Sequence, residues 1–364
     1  MSDEYRIDSH KLIYHPQRVA QWLEGYDDWE KAKKVYPVYL EVSPVGYCNH
    51  RCGFCAVDFL GYQIRSIPFG TLSKSITDMA QLGVKSIMFA GEGEPTLYKE
   101  LPEILDLCTQ VKINTSLTTN MVSFTEQNTE NFVKNCTWIK VSINAGTRSV
   151  YANVHGTQEQ DFDRVLENMD RAVSIKRSNG YNCTIGAQML LLPDNIDTVL
   201  NLAELTKEAG LEYLVIKPYS QHLSSVTSKY ENIDYSEYLY LENDLEKYNT
   251  DDFKVIFRKH TMCKKGKKEG KYARCMATPF FWGYIMADGN VYGCSSFLEN
   301  KKFCYGNVNE NSFQAIWEGE RRKGNYEFVK NDMNSKNCRE NCRMDEINRY
   351  LWELKHPGLH VNFI

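Results

Sequence analysis

The first two thirds of the chain alternate between two patterns of apolar residues. Short runs rich in β-branched residues are followed by longer segments in which apolar positions recur at helical spacing. The short runs lie at residues 38–43, 86–90, 112–119, 138–144, 183–192 and 213–219. This repetition predicts a parallel sheet covered by helices, and six units predict an α/β fold with a partial, TIM-like (β/α)6 barrel. In such a barrel the functional residues lie at the carboxyl ends of the strands.

The remaining segments differ from this repetition. Residues 1–36 are a polar lead-in with one predicted helix, and residues 220–262 are a polar stretch predicted to be helical. Residues 263–342 are rich in cysteine, and residues 343–364 are predicted to form a short helix with a tail. The helical face of the lead-in is formed by Val19, Trp22, Leu23, Tyr26 and Trp29. We therefore predict a helical lead-in at residues 1–36, a partial barrel at residues 37–250, and a smaller cysteine-bearing domain with a tail at residues 251–364.

Composition narrows the class of protein. The chain has 364 residues, 42% of them hydrophobic and 25% charged, which is typical of a soluble globular protein. No apolar run is long enough to span a membrane, and the acidic start lacks the features of a signal peptide, so we expect a cytoplasmic protein. The net charge of -4 argues against general nucleic-acid binding. Twelve cysteines in a reducing compartment indicate metal binding or reactive thiols rather than disulfides.

The stretch GYCNHRCGFC at residues 46–55 spaces three cysteines as C-x3-C-x2-C. A structural zinc site needs a fourth cysteine or histidine, and His50, lying between the ligands, is poorly placed to supply it. An iron–sulfur cluster normally has four thiolates, so three would leave one iron with an open position, which indicates chemistry rather than scaffolding. Zinc remains the alternative on spacing alone.

This motif resembles the signature of the radical S-adenosylmethionine (SAM) superfamily. Phe54 stands just before the last cysteine, and a predicted strand precedes the first. The resemblance implies a [4Fe-4S] cluster on Cys48, Cys52 and Cys55, with its fourth iron chelated by the amino and carboxylate groups of SAM.

Other strand ends resemble the SAM-binding motifs of this superfamily. GEGEP at residues 91–95 resembles its Gly-Gly-Glu-Pro motif, with Glu94 as acceptor for the SAM ammonium, although Glu92 stands where the second glycine is usual. Ser142 and Asn144 resemble ribose partners, and Gln188 replaces an acidic residue of the strand that lies along the adenine. Each of these three is otherwise an ordinary polar strand-end residue. The SAM contacts that the resemblance implies are Phe54, Gly91, Gly93, Glu94, Thr119, Asn120, Ser142, Asn144, Gln188 and Tyr219.

A second set of cysteines lies near the end of the sequence. Asp288-Gly289 predicts a hairpin turn, which brings Cys275 and Cys294 towards one metal, and Cys338 and Cys342 complete four thiolates. With YGNVNENSFQAIWEG at residues 305–319, this pattern resembles the SPASM and Twitch extensions of radical SAM enzymes and implies an auxiliary [4Fe-4S] cluster. The longer cysteine run of a full SPASM domain is absent, so we expect one cluster, with zinc as the alternative. Cys263 and Cys304 are left over, and a second, partly liganded cluster stays open.

The resemblance implies reductive cleavage of SAM to a 5′-deoxyadenosyl radical, which removes a hydrogen atom from a substrate carbon. Because only 47 residues precede Cys48, we expect a small polar substrate, an aminosugar, cyclitol or sugar nucleotide, and oxidation of its alcohol. The alternatives are a redox-neutral epimerase with Cys304 as hydrogen-atom donor, a peptide maturase, and a non-catalytic zinc protein. The basic segment 258–274 is a solvated linker or a docking site for a flavodoxin- or ferredoxin-type electron donor.

Overall fold

A computed structural model describes residues 5–7, 9–264, 272–335, 338, 339 and 341–363. The strands are β1 Tyr39–Val42, β2 Ser86–Phe89, β3 Asn114–Thr119, β4 Cys136–Ser142, β5 Thr184–Leu191, β6 Tyr213–Pro218, β7 Lys254–Phe257, β8 Trp282–Ile285, β9 Asn290–Tyr292 and β10 Cys304–Asn307. The α-helices are α1 Pro16–Gly25, α2 Trp29–Ala32, α3 Phe69–Gln81, α4 Leu101–Gln110, α5 Glu126–Asn135, α6 Arg148–His155, α7 Gln160–Asn179, α8 Val199–Glu208, α9 Leu241–Glu246, α10 Lys259–Lys264, α11 Phe313–Trp317, α12 Glu320–Asn331 and α13 Asp345–Lys355. The 3-10 helices are Leu12–Tyr14, Asp58–Leu60, Pro95–Leu97, Ile196–Thr198, Tyr235–Tyr238, Ser295–Phe297 and Lys301–Phe303.

The strands form one sheet in the order β10-β9-β8-β1-β2-β3-β4-β5-β6-β7. Strands β1 to β7 are parallel to their neighbours, and β8 runs parallel to β1. All six predicted strands are present, and the predicted α/β class with a parallel sheet is confirmed. Helices lie between successive parallel strands, as right-handed strand–helix–strand connections require.

The alternation of side chains along β4 shows how the sheet divides core from site. Ile139 and Val141 are fully buried in the apolar core, whereas Lys140 and Ser142, which alternate with them, are only partly buried. Successive side chains of a strand point to opposite faces, so Lys140 and Ser142 share the face away from that core. Polar residues of the parallel strands therefore face a common interior.

Two predictions about individual elements were wrong. The lead-in forms two helices rather than one, because the chain breaks at Tyr26–Asp28 and the Asp28 side chain caps α2. Residues 220–262, predicted to be helical, also contain β7, which pairs in parallel with β6. The sheet thus continues past residue 251, where we placed a domain boundary, and the boundary itself stays a prediction.

The lead-in packs on the cysteine-bearing part of the chain. Trp22 is fully buried and contacts the rings of Phe280 and Phe281. Buried Arg322 of α12 donates to the carbonyl groups of Pro279 and Trp317, at 3.0 and 2.7 Å. Within the ranges that the structure describes, no helix combines the length and the apolar character needed to cross a membrane.

Candidate functional site

The first cysteine motif lies in the loop that follows β1. Cys48, Cys52 and Cys55 are partly buried free thiols. Burial, with the charges of Glu94 and Cys55, raises the pKa of Cys48 to about 12. Burial also raises the pKa of Cys52 well above its usual value, with Cys55 and Cys48 adding to the shift. The three thiols are therefore close enough to interact electrostatically, and a bound metal would hold them as thiolates, which suits the predicted cluster.

Two histidines stand beside this motif. His50 Nε2 lies 3.6 Å from Asp161 Oδ2, whereas His155 Nδ1 lies 3.3 Å from the sulfur of Cys52. The ligand atoms of His50, Cys52 and His155 all lie within 4.8 Å of one another. However, the backbone N–H of Asn144 donates to His155 Nε2 at 3.2 Å, so the ring proton lies on Nδ1. His155 is therefore a hydrogen-bond donor to the cysteine sulfur and has no free lone pair for a metal.

The end of α6 fixes the backbone of this motif. Arg51 N donates to His155 O at 3.0 Å, and Gly53 N donates to Val154 O at 3.1 Å. Gly156 follows with φ of 56°, and a Cβ added there would lie 2.3 Å from Arg51 O. Only glycine fits this contact. The position of His155 relative to the cysteine loop is therefore set by backbone contacts.

The glycine segment at residues 91–95 packs against the same loop. A Cβ added at Gly93 would lie 2.3 Å from Tyr47 O and 2.6 Å from Val45 O. Gly91 has φ of 132°, and a Cβ there would lie 2.4 Å from Ser43 Cβ. Both glycines are thus required for this backbone to approach the cysteine loop closely.

Glu94 is buried at the meeting point of three strand ends. Its carboxylate accepts from Thr96 N at 3.1 Å, Thr96 Oγ1 at 2.7 Å, Thr119 Oγ1 at 2.6 Å and Asn120 N at 2.8 Å. Asn120 Nδ2 in turn donates to Asn49 Oδ1 at 2.7 Å. A carboxylate has about four acceptor sites. A hydrogen bond from the SAM ammonium would have to replace one of the four that Glu94 accepts from the protein, so the role of Glu94 in SAM binding stays a prediction.

Glu92, the departure from the expected glycine, points elsewhere. Its carboxylate forms an ion pair with Arg65 at 2.6 Å and accepts from the backbone N–H of Ala287 at 2.5 Å. Arg65 also lies 3.4 Å from Asp288 in the β8–β9 turn. Glu92 therefore connects the glycine segment to the hairpin of the second cysteine set.

The three candidate ribose and adenine contacts differ in their surroundings. Asn144 is buried, and its Oδ1 accepts from Leu190 N at 2.7 Å while its Nδ2 contacts His155 Nε2 at 3.2 Å. Ser142 and Gln188 are directly opposite each other on β4 and β5. Neither side chain hydrogen-bonds to any residue in the described part of the chain. Ser142 and Gln188 are thus available to a ligand, whereas Asn144 is engaged in the protein.

The four cysteines of the second set also interact electrostatically. Burial raises the pKa of Cys294 well above its usual value, and the charges of Cys342, Cys275 and Cys338 add to the shift. Thr278 N donates to the Cys275 sulfur at 3.5 Å, and Met344 N donates to the Cys342 sulfur at 3.4 Å. Backbone N–H donors of this kind stabilise thiolate ligands of clusters. The predicted hairpin, with Gly289 at φ of 88°, positions Cys294.

Comparison with known proteins agrees with both sites. A sequence model of the radical SAM superfamily matches residues 42–206, and one of the SPASM iron–sulfur cluster-binding domain matches residues 275–343. The chain therefore carries a radical SAM domain followed by a SPASM domain. These two domains imply a SAM-binding [4Fe-4S] cluster and an auxiliary cluster. Which residues hold them stays a prediction, which the burial of the cysteines at each site suits.

Solved structures and curated relatives resemble this radical SAM protein over part of their length. SuiB from Streptococcus suis, bound to precursor peptide SuiA, superposes with a TM-score of 0.67 at 20% identity, covering 95% of this chain and 78% of that chain. The protein anSMEcpe with bound AdoMet gives 0.57 at 19% identity, covering 81% and 80%. GTP 3',8-cyclase of Chlorobaculum tepidum is 25% identical over 50% of this chain and 55% of its own length. The S-adenosylmethionine-dependent nucleotide dehydratase of Lacinutrix mariniflava is 33% identical over 27% and 21%. The chain thus spans about half or less of these two relatives.

A cavity of about 380 Å³ lies between the two cysteine sites of this radical SAM protein. Phe54 of the first motif lines it, as do Leu190 of β5, Tyr219 after β6, and Cys294 and Cys342 of the second set. Its volume is within the range of small-molecule sites. Two cysteines of the second set and the residues on either side of Cys55, Phe54 and Ala56, therefore border one ligand-sized space.

The two leftover cysteines lie outside this space. Cys263 is exposed, and Cys304 lies on β10, where its sulfur is 3.9 Å from Gly306 O. Neither is among the residues that line the cavity. The hydrogen-donor role of Cys304 stays a prediction, and its surroundings lend it no support. Much of the basic segment, residues 265–271, lies outside the described residues, so the electron-donor site also stays a prediction.

Sequence analysis missed several polar residues of this region. His155 belongs to no motif, and only its contact with Cys52 in the folded chain identifies it. Lys217 and Arg339 also line the cavity. Lys217 belongs to the predicted strand at residues 213–219, and Arg339 lies between Cys338 and Cys342, but no motif singled out either residue. The alternation of β6 places Lys217 on the inner face, which is the one sequence signal that pointed to it.

Proposed function

We propose that this chain is a radical SAM dehydrogenase that oxidises an alcohol of a small polar substrate. One observation carries the proposal. Cys294 and Cys342 of a four-cysteine site line the same cavity as Phe54 of the three-cysteine motif. A radical generated at one side and an electron acceptor at the other are what a two-electron oxidation needs.

When bound, the first cluster supplies the electron that cleaves SAM to methionine and a 5′-deoxyadenosyl radical. Oxidation of the alcohol would remove one hydrogen atom from the carbon, one proton from the hydroxyl and one further electron, and would leave a carbonyl group. Cys275, Cys294, Cys338 and Cys342 would hold the cluster that accepts that electron. The chain's own residues position the substrate and exclude water, and the difficult chemistry belongs to the cofactor.

Residues at the strand ends would orient SAM. Ser142 and Gln188 offer polar groups without partners among the described residues, and Phe54 is in edge contact with His155 at 5.2 Å. Gly91 and Gly93 allow the backbone to approach the cysteine loop. These surroundings support the predicted SAM contacts of the glycine segment and of β4 and β5.

The curated relatives favour nucleotide-like molecules among the expected substrates. Both GTP 3',8-cyclase and the nucleotide dehydratase are named for reactions of nucleotides. This supports a sugar nucleotide over an aminosugar or a cyclitol. SuiB and anSMEcpe share the fold at under 25% identity, and that similarity alone does not support a peptide substrate.

Anaerobic reconstitution tests the metal sites. Wild type should bind about eight irons, as two cubane clusters, and the triple variant Cys48→Ala, Cys52→Ala, Cys55→Ala should keep about half. Wild type with dithionite should release 5′-deoxyadenosine from SAM, and the triple variant should not. Zinc in place of iron, or loss of all iron from the triple variant, would contradict the two-cluster arrangement.

Product formation from candidate sugar nucleotides in deuterated water tests the reaction. Oxidation should give a carbonyl product without solvent deuterium at the reacting carbon. Cys294→Ala should lose this product while still cleaving SAM, and Cys304→Ala should be nearly silent. Inverted product carrying deuterium, together with an inactive Cys304→Ala, would instead establish the epimerase.

A further inference from the structure

Positive charge is concentrated in the wall of the cavity between the two cysteine sites. The basic side chains that line it are Lys217, Arg258, Lys264, Arg339 and Arg343. The acidic ones are Asp345 and Glu346. Lys264 Nζ lies 3.1 Å from Glu346 and 3.7 Å from Asp345, and Arg343 is paired with Glu41. The side chains of Lys217 and Arg339, which also line the cavity, form no ion pair with a carboxylate among the described residues.

The side chain of Lys217 has no hydrogen bond or ion pair to any residue that the structure describes. Burial, together with the charges of Lys140, Arg258 and Arg339, holds its pKa well below the usual value. Arg339 donates Nε to Ser220 Oγ at 2.9 Å and Nη2 to Ser220 O at 2.5 Å. No carboxylate in the described ranges is within ion-pair distance of Arg339. In the empty cavity this environment favours loss of the proton from Lys217, and an anion bound beside it would favour the charged form again.

Lys140 adds to the same field from β4. Burial, with the charge of Arg258, lowers its pKa to about 8. Its ammonium lies 5.4 Å from the centre of the Trp138 ring, and no ion pair neutralises it in the part of the chain that is described. The charges of Lys140, Arg258 and Arg339 all act on Lys217, which indicates one cluster of like charges that an anionic ligand would stabilise. The thiolates of Cys342 and Cys294 partly offset the charge of Arg339.

We propose that this cavity binds a phosphorylated small molecule, with Lys217 and Arg339 holding its phosphoryl oxygens. A phosphoryl group carries up to two charges and several acceptor oxygens, which suits a cluster of several cations better than a single carboxylate does. An aminosugar would be repelled because it is itself a cation. The inference rests on the proposed function in that the phosphorylated molecule is the substrate, and it limits the expected substrates to phosphorylated ones.

Lys217→Met tests this assignment, with Lys264→Met as the matched control. Both lysines line the cavity, but Lys264 already has carboxylate partners. Inorganic pyrophosphate is the probe, titrated calorimetrically into reconstituted holoenzyme, with iron content measured before and after. Lys217→Met should weaken pyrophosphate binding by about tenfold or more, because it removes a charge-assisted contact, and Lys264→Met by less than about threefold.

Two further measurements distinguish a lost phosphoryl contact from a misfolded variant and from a damaged SAM site. The thermal midpoint of Lys217→Met should equal or exceed that of wild type, since the variant removes an unpaired buried cation. Its SAM affinity should be unchanged. Absence of pyrophosphate binding in wild type, equal losses in both variants, or loss of SAM affinity with pyrophosphate binding retained would overturn the proposal. The last result would assign Lys217 to the SAM carboxylate.

The same preparations separate this inference from the proposed function. Release of 5′-deoxyadenosine from SAM without pyrophosphate binding would remove the phosphorylated substrate and leave the radical SAM activity in place. Pyrophosphate binding that depends on Lys217, without any SAM cleavage, would remove the proposed activity and leave the anion site.

Discussion

The hydrogen bond between His155 and Cys52 predicts a measurable shift in reduction potential. His155 Nδ1 lies 3.3 Å from the sulfur, and the backbone N–H of Asn144 fixes the proton on Nδ1. Burial, with the charge of His50, holds the pKa of His155 well below its usual value, so the ring is neutral at pH 7. A neutral donor to a cluster thiolate stabilises the more negative, reduced state and raises the potential.

The size of the shift follows from the energy of this bond. Hydrogen bonds to charged groups contribute about 1.5–3 kcal/mol. The electron added on reduction is spread over the whole cluster, so the energy of this hydrogen bond differs between the oxidised and reduced states by only a fraction of that value. We take about 0.7–1.4 kcal/mol, which is about 30–60 mV for a one-electron couple. His155→Phe should therefore lower the potential of the SAM-binding cluster by about 30–60 mV.

A redox titration monitored by electron paramagnetic resonance measures this shift. The signal that changes on addition of SAM identifies the cluster of interest. His50→Phe is the matched control, because its ring also adjoins His155, at 5.3 Å, and lies near Cys52, but the hydrogen bond to the Cys52 sulfur comes from His155. The backbone bond from His50 N to the Cys48 sulfur remains in that variant. An unchanged or raised potential in His155→Phe, or equal shifts in both variants, would refute the reasoning.

Three further predictions concern SAM binding, the connection between domains and buried charge. Ser142→Ala and Gln188→Leu should weaken SAM binding by about three- to tenfold without lowering the thermal midpoint. Asn144→Ala should lower the thermal midpoint, because the hydrogen bonds of its side chain lie within the protein. Calorimetric titration with SAM and thermal unfolding separate the two effects. Glu92→Ala removes the 2.6 Å partner of Arg65 and leaves the Ala287 N–H without a partner, so it should cost about 2–3 kcal/mol of unfolding free energy in urea titrations. Asp288→Ala removes the 3.4 Å contact to Arg65 and two hydrogen bonds from Asn290 in a partly exposed turn and should cost about 1 kcal/mol; equal costs would contradict this. Lys140→Met should raise the unfolding free energy by about 2 kcal/mol at pH 7, because the pKa of Lys140 is about 8 in the folded state and 10.5 in the unfolded state. This gain in stability should decline between pH 8 and 10.5, and a gain that is independent of pH would contradict the prediction.

Sequence predicted the elements because their signals are local. Each of the six strands is a short run rich in β-branched or apolar residues, and the Asp288-Gly289 turn has a specific backbone requirement. The cysteine spacing was equally informative, since the ligands of each site are near one another in sequence. β7 was missed because Lys254–Phe257 is short and follows a polar stretch, and its pairing with β6 depends on tertiary context.

Side-chain partnerships could not be predicted in the same way. Asn144 was expected to contact ribose, but its amide is engaged by His155 and Leu190, residues 11 and 46 positions away. Glu92 appeared only as a departure from a motif, and its partner Arg65 and the Ala287 N–H come from distant parts of the chain. Such pairings depend on how strand ends are brought together by the sheet, which no local pattern encodes.

Buried charges within this one chain provide their own standard for separating structural from functional groups. Arg322 is fully buried, and its guanidinium donates to the carbonyl groups of Pro279, Trp317, Ala32 and Val35. Glu94 is likewise satisfied by four donors. These charges contribute to folding because the protein itself replaces the lost water. Lys217 has no such replacement among the described residues, although it is coupled to three other cations. The scaffold saturates its own buried charges and leaves the Lys217 side chain without a partner beside a cavity. This contrast supports the proposed anion site, because a bound anion is the ligand that would favour the charged form of Lys217.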